Sequence, residues 1–468
     1  MRVSVNAFKF LPALAFIAGL AVMANEATGG QSAVGSADVS NDPSQTENSQ
    51  EDTYARIGAY KGPVVKGVDT ATMLDKVMCG YQGWFGAPGD GSPDSGWRHW
   101  TKQQGPFADG NAKVDLWPDV SEFNPDERFT TGFKMADGRP AEVFSSYNAE
   151  TVLRHFQWMR DYDIDGVFVQ RFATRLTSQT SLAFCNTVLA NCRKGANLNG
   201  RAYAVMYDLT GLPKGHIDEV INDWRQLRKE MHITDDPAYL HDQGRPVVAV
   251  WGIGFNDGRD YTLDECQRLL EFLKNDPEFG GCRVIVGVPT YWRELDSDAV
   301  NDSKLLEVLK MADVISPWTV GRYTNPAEAD KYAQNILKPD LKWCRQQGMD
   351  FMPVVFPGFS WHNMKGGEFN QIPRLQGQFL WSQFLQAKNA GVSMVYVAMF
   401  DEVDEGTAIF KCANTIPVGQ KSRFLTFDGL PSDFYLRLVG QGTKLMREPA
   451  SANSVRAVLS FSRQTAAN

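Results

Sequence analysis

The stretch "GVSMVYVAMFDEVDEGTAIF", residues 391–410, decides how this chain reads. Within it, "SMVYVAMF" (393–400) is an apolar run rich in strand-forming residues, as expected of a β-strand covered on both faces. Straight after the run stand Asp401, Glu402, Asp404 and Glu405. Four carboxylates so close together repel one another. A fold tolerates that on an open solvated loop, or where raised pKa values are useful.

Working outward, the same kind of run recurs. "KVMCGY" (76–81), "GVFVQ" (166–170), "AYAVMY" (202–207), "PVVAVW" (246–251), "RVIVGV" (283–288), "DVIS" (313–316) and "FMPVVF" (351–356) bring the total to eight. Amphipathic helical patterns lie between them. "NAETVLRHFQWMRDYD" puts Val152, Phe156 and Met159 on one face behind an Asn148 N-cap. "HIDEVINDWRQLRKE" repeats the pattern at Ile217, Val220, Ile221 and Trp224, and Gly391 suits the C-cap of the helix before the last strand. Eight β/α units predict a single (β/α)8 TIM barrel, an α/β fold. The rival is a doubly wound open sheet, but its Gly-rich phosphate turn is absent. The connection from Gly83 to Phe144 is long for a barrel loop and predicts a lid or a wall of the cleft.

The 468 residues carry a net charge of −8, with no basic stripe for phosphates, which argues against a nucleic-acid partner. Residues 1–24 read as a signal peptide: Arg2 and Lys9 precede a short apolar stretch, and Val22 and Ala24 fit a small-residue cleavage site. That stretch is too short for a comfortable membrane span, so the expectation is a secreted or periplasmic protein without a transmembrane segment. Residues 25–60 read as a disordered polar linker, 65–450 as the barrel domain and 451–468 as a tail. The seven cysteines show no CxxC pair and no zinc spacing. In an exported protein Cys185 could pair with Cys192, or Cys266 with Cys282.

The active site of such a barrel lies at the C-terminal ends of its strands. Reading those ends gives Tyr81, Gln82, Trp84, Gln170, Arg171, Tyr207, Asp208, Trp251, Tyr291, Trp318, Trp361, His362, Asp401 and Asp404 as substrate-binding candidates. Asp208 could equally cap the next helix, Arg171 could be a structural pair, and His362 a structural hydrogen-bonding residue. Aromatics, amides and carboxylates suit a sugar, whose hydroxyls need polar partners and whose ring faces stack on indoles. The inventory holds no phosphate cradle, no G-x-S-x-G elbow and no H-E-x-x-H, and it calls for no cofactor or resident metal. The loop "PGDGSPDSG", with Asp90 and Asp94, lacks the full spacing of a calcium loop and reads as a solvated turn. Glycoside cleavage needs two carboxyl groups, and Glu402 and Glu405 supply them three residues apart.

At these residues the chain resembles a known family. "FDEVDEGTAIF" (400–410) resembles the N-E-W-H-E-G-T-Q-I-E motif of the endo-α-mannosidases of glycoside hydrolase family 99, which are related to the α-1,3-glucanases of family 71. "GYQGWFG" (80–86), "DYDIDGVFVQRF" (161–172), "GRPVVAVWGIG" (244–254), "PGFSWHN" (357–363), "IPRLQGQFLWSQFLQAKNAG" (372–391) and "PSDFYLRLVGQG" (431–442) resemble other pieces of that group, in order. The resemblance implies Glu405 as general acid/base and Glu402 as the residue acting at the substrate 2-hydroxyl, in a retaining enzyme that cleaves an α-linked oligosaccharide or polysaccharide. Asp401, Val403 and Asp404 replace the Asn, Trp and His of the motif, so the mannose-specific surroundings do not carry over. Two alternatives stand beside this reading. One is a catalytically inactive glycan-binding protein on the same barrel. The other is a metal-dependent hydrolase using the acids as ligands.

Overall fold

The computed structural model describes Tyr54, residues 56–94 and residues 96–449. The proposed export segment and the C-terminal tail lie outside the described residues. Tyr54 falls within the stretch read as linker, yet it is 3% exposed and its hydroxyl bonds to Asp223. The chain then runs along the barrel wall, where Val65 N donates to Asn197 O at 2.8 Å and Val68 N to Gly200 O at 2.9 Å.

The strands in chain order are β1 (Lys76–Tyr81), β2 (Phe129–Lys134), β3 (Pro140–Val143), β4 (Gly166–Phe172), β5 (Ala202–Asp208), β6 (His241–Asp242), β7 (Arg245–Trp251), β8 (Arg283–Val288), β9 (Val314–Pro317), β10 (Asp350–Phe351), β11 (Val354–Val355) and β12 (Met394–Val397). Nine of them follow one another in space as β10-β9-β8-β7-β5-β4-β1-β12-β11, all parallel, while β6 pairs antiparallel with β7 and β2 with β3. β10 and β11 are two pieces of the seventh barrel strand, parted by Met352 and Pro353; proline has no N–H for the ladder. One piece pairs with β9 and the other with β12, so the ring closes. Eight β/α units form the predicted barrel.

The helices follow the predicted patterns. Asn148 caps Ala149–Asp161 by accepting from Glu150 N at 2.9 Å. Ile217, Val220, Ile221 and Trp224 are the buried face of Ile217–Lys229, and Gly391, at φ 78°, ends Gln378–Ala390. All seven cysteines are free thiols, which corrects both pairings. Cys185 and Cys192 sit on one helix, Gln179–Asn199, where seven residues span about 10 Å, beyond disulfide reach.

Side chains alternate between lumen and wall along each strand. Gly80 faces the lumen: a Cβ there would meet the Tyr396 hydroxyl and the Met399 side chain. The next residue, Tyr81, faces outward to bond with His155 Nδ1 at 2.9 Å. The connection after β1 holds the antiparallel hairpin β2–β3 and forms a wall over the mouth. Asp115 N and Leu116 N donate to Val403 O at 2.9 and 3.1 Å, and Ala413 N donates to Trp117 O at 2.8 Å.

Candidate active site

The acidic segment follows β12 as a tight turn. Glu402 O accepts from Thr407 N at 3.2 Å and Ala408 N at 3.0 Å, and Ser360 N donates to Glu405 O at 2.9 Å. Gly406 closes the turn at φ 65°, a left-handed conformation that glycine adopts without strain. The turn thus holds Glu402, Asp404 and Glu405 at the barrel mouth.

Each acid has a different setting. Asp401 is fully buried and accepts from Gln82 N and Gly83 N, both at 2.8 Å, tying the acid turn to the end of β1. Burial pushes its carboxyl up to about 7 against those bonds. Glu402, 3% exposed, accepts from Gln82 Nε2 at 2.7 Å and Thr407 Oγ1 at 2.8 Å. Burial, then the charges of Glu405 and Asp404, raise it well above the usual carboxylate range, while its two donors pull the other way. Glu405 is half-buried and raised to about 7, first by burial and then by Asp404. A hydrogen bond from the Trp361 side chain and the charges of Lys113 and Lys365 oppose that rise. Asp404 is 1% exposed, with Lys113 Nζ and His99 Nδ1 each 3.5 Å from its Oδ2. Burial raises it and Lys113 lowers it. Each carboxylate charge in the cluster strengthens its neighbours' hold on a proton, which is the setting a general acid needs.

In the lumen the buried Tyr396 hydroxyl lies 3.1 Å from Gln170 Nε2 and 3.3 Å from Met399 S. Among the predicted site residues, the structure gathers Gln82, Trp361, Asp401, Glu402, Asp404 and Glu405 into one constellation, with Gln170 in the lumen beside Tyr396. Asp208 ends β5 and accepts from Thr210 N at 2.8 Å in a local turn; it does not cap the next helix, which begins at Ile217 behind His216. Trp251 and Trp318 are half-buried, edge to face at 5.4 Å, with Arg259 over the Trp251 ring at 5.0 Å. Tyr291 is half-buried, and its backbone N–H donates to Asp298 at 3.0 Å.

Other candidates are corrected. Arg171 and Tyr207 point to the wall, not the lumen. Arg171 pairs with Asp223 and Asn186, and the Tyr207 hydroxyl bonds Asp223 at 2.6 Å. Tyr81 is likewise committed to His155. Trp84 is buried, 8% exposed, with His99 stacked on it at 4.0 Å and Phe172 at 5.2 Å, so its ring is committed to protein contacts. His362 is held structurally: its backbone N–H donates to Asp115 at 2.8 Å and its Nδ1 lies 2.9 Å from Gly367 O. In the "PGDGSPDSG" loop, Asp90 accepts from Ala87 N, Ser92 N and Ser145 Oγ, so it braces the turn.

Sequence reasoning missed His99, Lys113, Lys365, Thr407 and Tyr396. Thr407 and Tyr396 lay inside the quoted stretch; His99 and Lys113 sit in a long connection with no motif.

No protein-family model matches the sequence, and no curated protein matches it. Among solved structures, the fold is similar to the GH99 endo-alpha-mannosidase from Bacteroides thetaiotaomicron. The TM-score is 0.58 at 15% identity, over 81% of this chain and 100% of that one. A structure of the GH99 endo-alpha-mannosidase in complex with BIS-TRIS-Propane gives 0.55 at 16% identity, over 80% of this chain and 98% of that one. The chain therefore has a glycoside-hydrolase-like (β/α)8 fold. Among the described residues, no helix is long and apolar enough to cross a membrane.

Proposed function

We propose that the protein is an exported, retaining glycoside hydrolase of a family 71/99-like branch that cleaves an α-linked glycan. Glu405 serves as acid/base, and Glu402 acts at the 2-hydroxyl or anomeric side. The observation that carries this reading is the pair itself. Two glutamates share the mouth of a barrel, and Glu405 is raised to about 7, so it holds a proton near neutral pH. Glu402 accepts one hydrogen bond on each oxygen, from Gln82 and Thr407, and these two donors fix its carboxyl group and oppose the rise imposed by burial and the neighbouring acids. The mannosidase named for the structural neighbour and the sequence motif point to the α-linked substrate class. Gln82, Gln170, Asp208 and Trp361 are the proposed hydroxyl and ring-face contacts, with Trp251, Tyr291 and Trp318 further round the mouth.

The test is a panel of α-linked polysaccharides and aryl glycosides read by product chromatography. Cleavage of at least one, with retained anomeric configuration by NMR, is expected. Binding to the panel with no cleavage favours the glycan-binding alternative. Activity lost to a chelator and restored by magnesium or calcium favours the metal-dependent one. Export is checked by mass spectrometry of protein from the native cell, where a mature chain beginning after about residue 24 is expected. A chain that still starts at Met1 removes the export proposal.

A further inference from the structure

We propose that Lys113 and His99, carried by the connection after β1, are positioning residues that hold Asp404 as an anion beside Glu402 and Glu405. The proposal deepens the two-glutamate reading and rests on it for its catalytic meaning.

The first observation is that the Lys113 segment is fixed to the acid turn. The hydrogen bonds from Asp115 N and Leu116 N to Val403 O are one tie. Leu425 N donates to Asp115 O at 2.7 Å, and the Asp115 carboxylate accepts from His362 N and Asn363 N, both at 2.8 Å. Lys113 therefore reaches Asp404 from a braced backbone, and its side chain is only 21% exposed.

The second observation is the set of contacts at the two His99 ring nitrogens, from which its tautomer follows. Arg175 Nη2 lies 2.6 Å from His99 Nε2, and a guanidinium can only donate, so Nε2 must accept. A neutral imidazole then carries its proton on Nδ1, the atom 3.5 Å from Asp404 Oδ2. The ring is neutral because it is buried among Lys113, Arg175 and Arg98. The Lys113 ammonium, 3.2 Å from that protonated Nδ1, finds no lone pair there, which leaves Asp404 as its acceptor. Stacking on Trp84 at 4.0 Å fixes the ring plane. Both cleft-side donors thus converge on one Asp404 oxygen, while its Oδ1 has no partner among the described residues.

The charged and titratable groups facing this cluster are Glu402, Glu405 and Asp401 on the acid turn, Lys113 and His99 on the wall, and Lys365 beside Glu405. Behind His99 stand Arg175 and Arg98, the latter 3.5 Å from Asp94. Asp115 and His362 brace the turn from below. An anion at 404 raises the proton affinity of both glutamates, and a cation at 113 lowers that of the whole cluster.

The test is carboxyl titration by carbon NMR on the full chain labelled at Asp and Glu side chains, with no substrate present. Lys113→Met is expected to move the cluster's titration up by about one pH unit, and Asp404→Asn to move Glu405 down by about as much. Lys113→Arg should stay near wild type. His99→Phe should move Asp404 up, while His99→Asn, whose amide can donate in place of Nδ1, should not. Opposite shifts from positions 113 and 404 are the signature that a merely structural role would not produce. If Lys113→Met does not fold, Asp404→Asn and Lys113→Gln decide the matter. Unmoved titration in the folded variants, or shifts of the reverse sign, overturns the proposal. Correct shifts in a protein that cleaves no glycan would leave the positioning intact and remove the hydrolase reading.

Discussion

Glu405→Gln is expected to lose about 10²–10⁴-fold in kcat/KM on a glycan with a poor leaving group. Glutamine keeps the shape of the side chain and part of its hydrogen bonding, but it cannot give a proton to the departing oxygen. On an activated aryl glycoside, whose oxygen leaves without a proton, the loss should be much smaller. Glu402→Gln should be slow on both substrates, because its proposed work at the sugar does not depend on the leaving group. Wild-type activity should fall on the alkaline side near the value of about 7 to which burial and the Asp404 charge raise Glu405, since above it the acid is ionised. The Glu405→Gln variant should lose that alkaline limb. Steady-state kinetics across pH on both substrate types measures all of this. Full activity in both glutamine variants, on a substrate the wild type cleaves, would end the assignment.

Asp223→Ala is expected to be the most destabilising single change outside the mouth. Asp223 is 3% exposed and accepts from Arg171 Nε at 2.9 Å, from a second Arg171 nitrogen, from the Tyr207 hydroxyl and from the Tyr54 hydroxyl. Arg171, at 1% exposure, would be left as a buried charge without its carboxylate. Breaking such a pair from one side typically costs about 3–5 kcal/mol. Asp223→Asn, which keeps an acceptor for the guanidinium, should cost less. Urea unfolding followed by tryptophan fluorescence reads the difference as a lowered midpoint at similar slope. A midpoint within error of wild type for Asp223→Ala would show that the network contributes little. Because Arg171 faces the wall, activity per folded molecule should change far less than for the glutamates.

This network also explains where the sequence reading went astray. Consecutive strand residues alternate between lumen and wall, yet the parallel strands here are apolar on both faces, so the run "GVFVQRF" does not reveal its own parity. Gln170 and Arg171 therefore looked alike as candidates, as did Tyr207 and Asp208. Only the register of β4 against β5, and Asp223 waiting on the helix outside, decide that Gln170 faces the lumen and Arg171 the wall. Trp84 misled for a related reason: an indole after a strand suits a sugar platform, but whether its faces are free depends on His99 and Phe172, far away in sequence.

What the sequence determined by itself was the barrel and the location of its acids. Eight apolar runs alternating with amphipathic helices, and carboxylates after the last run, are local patterns set by hydrophobic burial and helix capping. Tertiary structure alone decided which residues surround those acids. Lys113 and His99 belong to a connection without periodicity or motif, and they gain meaning only because backbone hydrogen bonds fasten that connection to Val403. Burial and charge at the acid turn are sums over elements that meet only in the closed ring, so no local stretch of residues carries them.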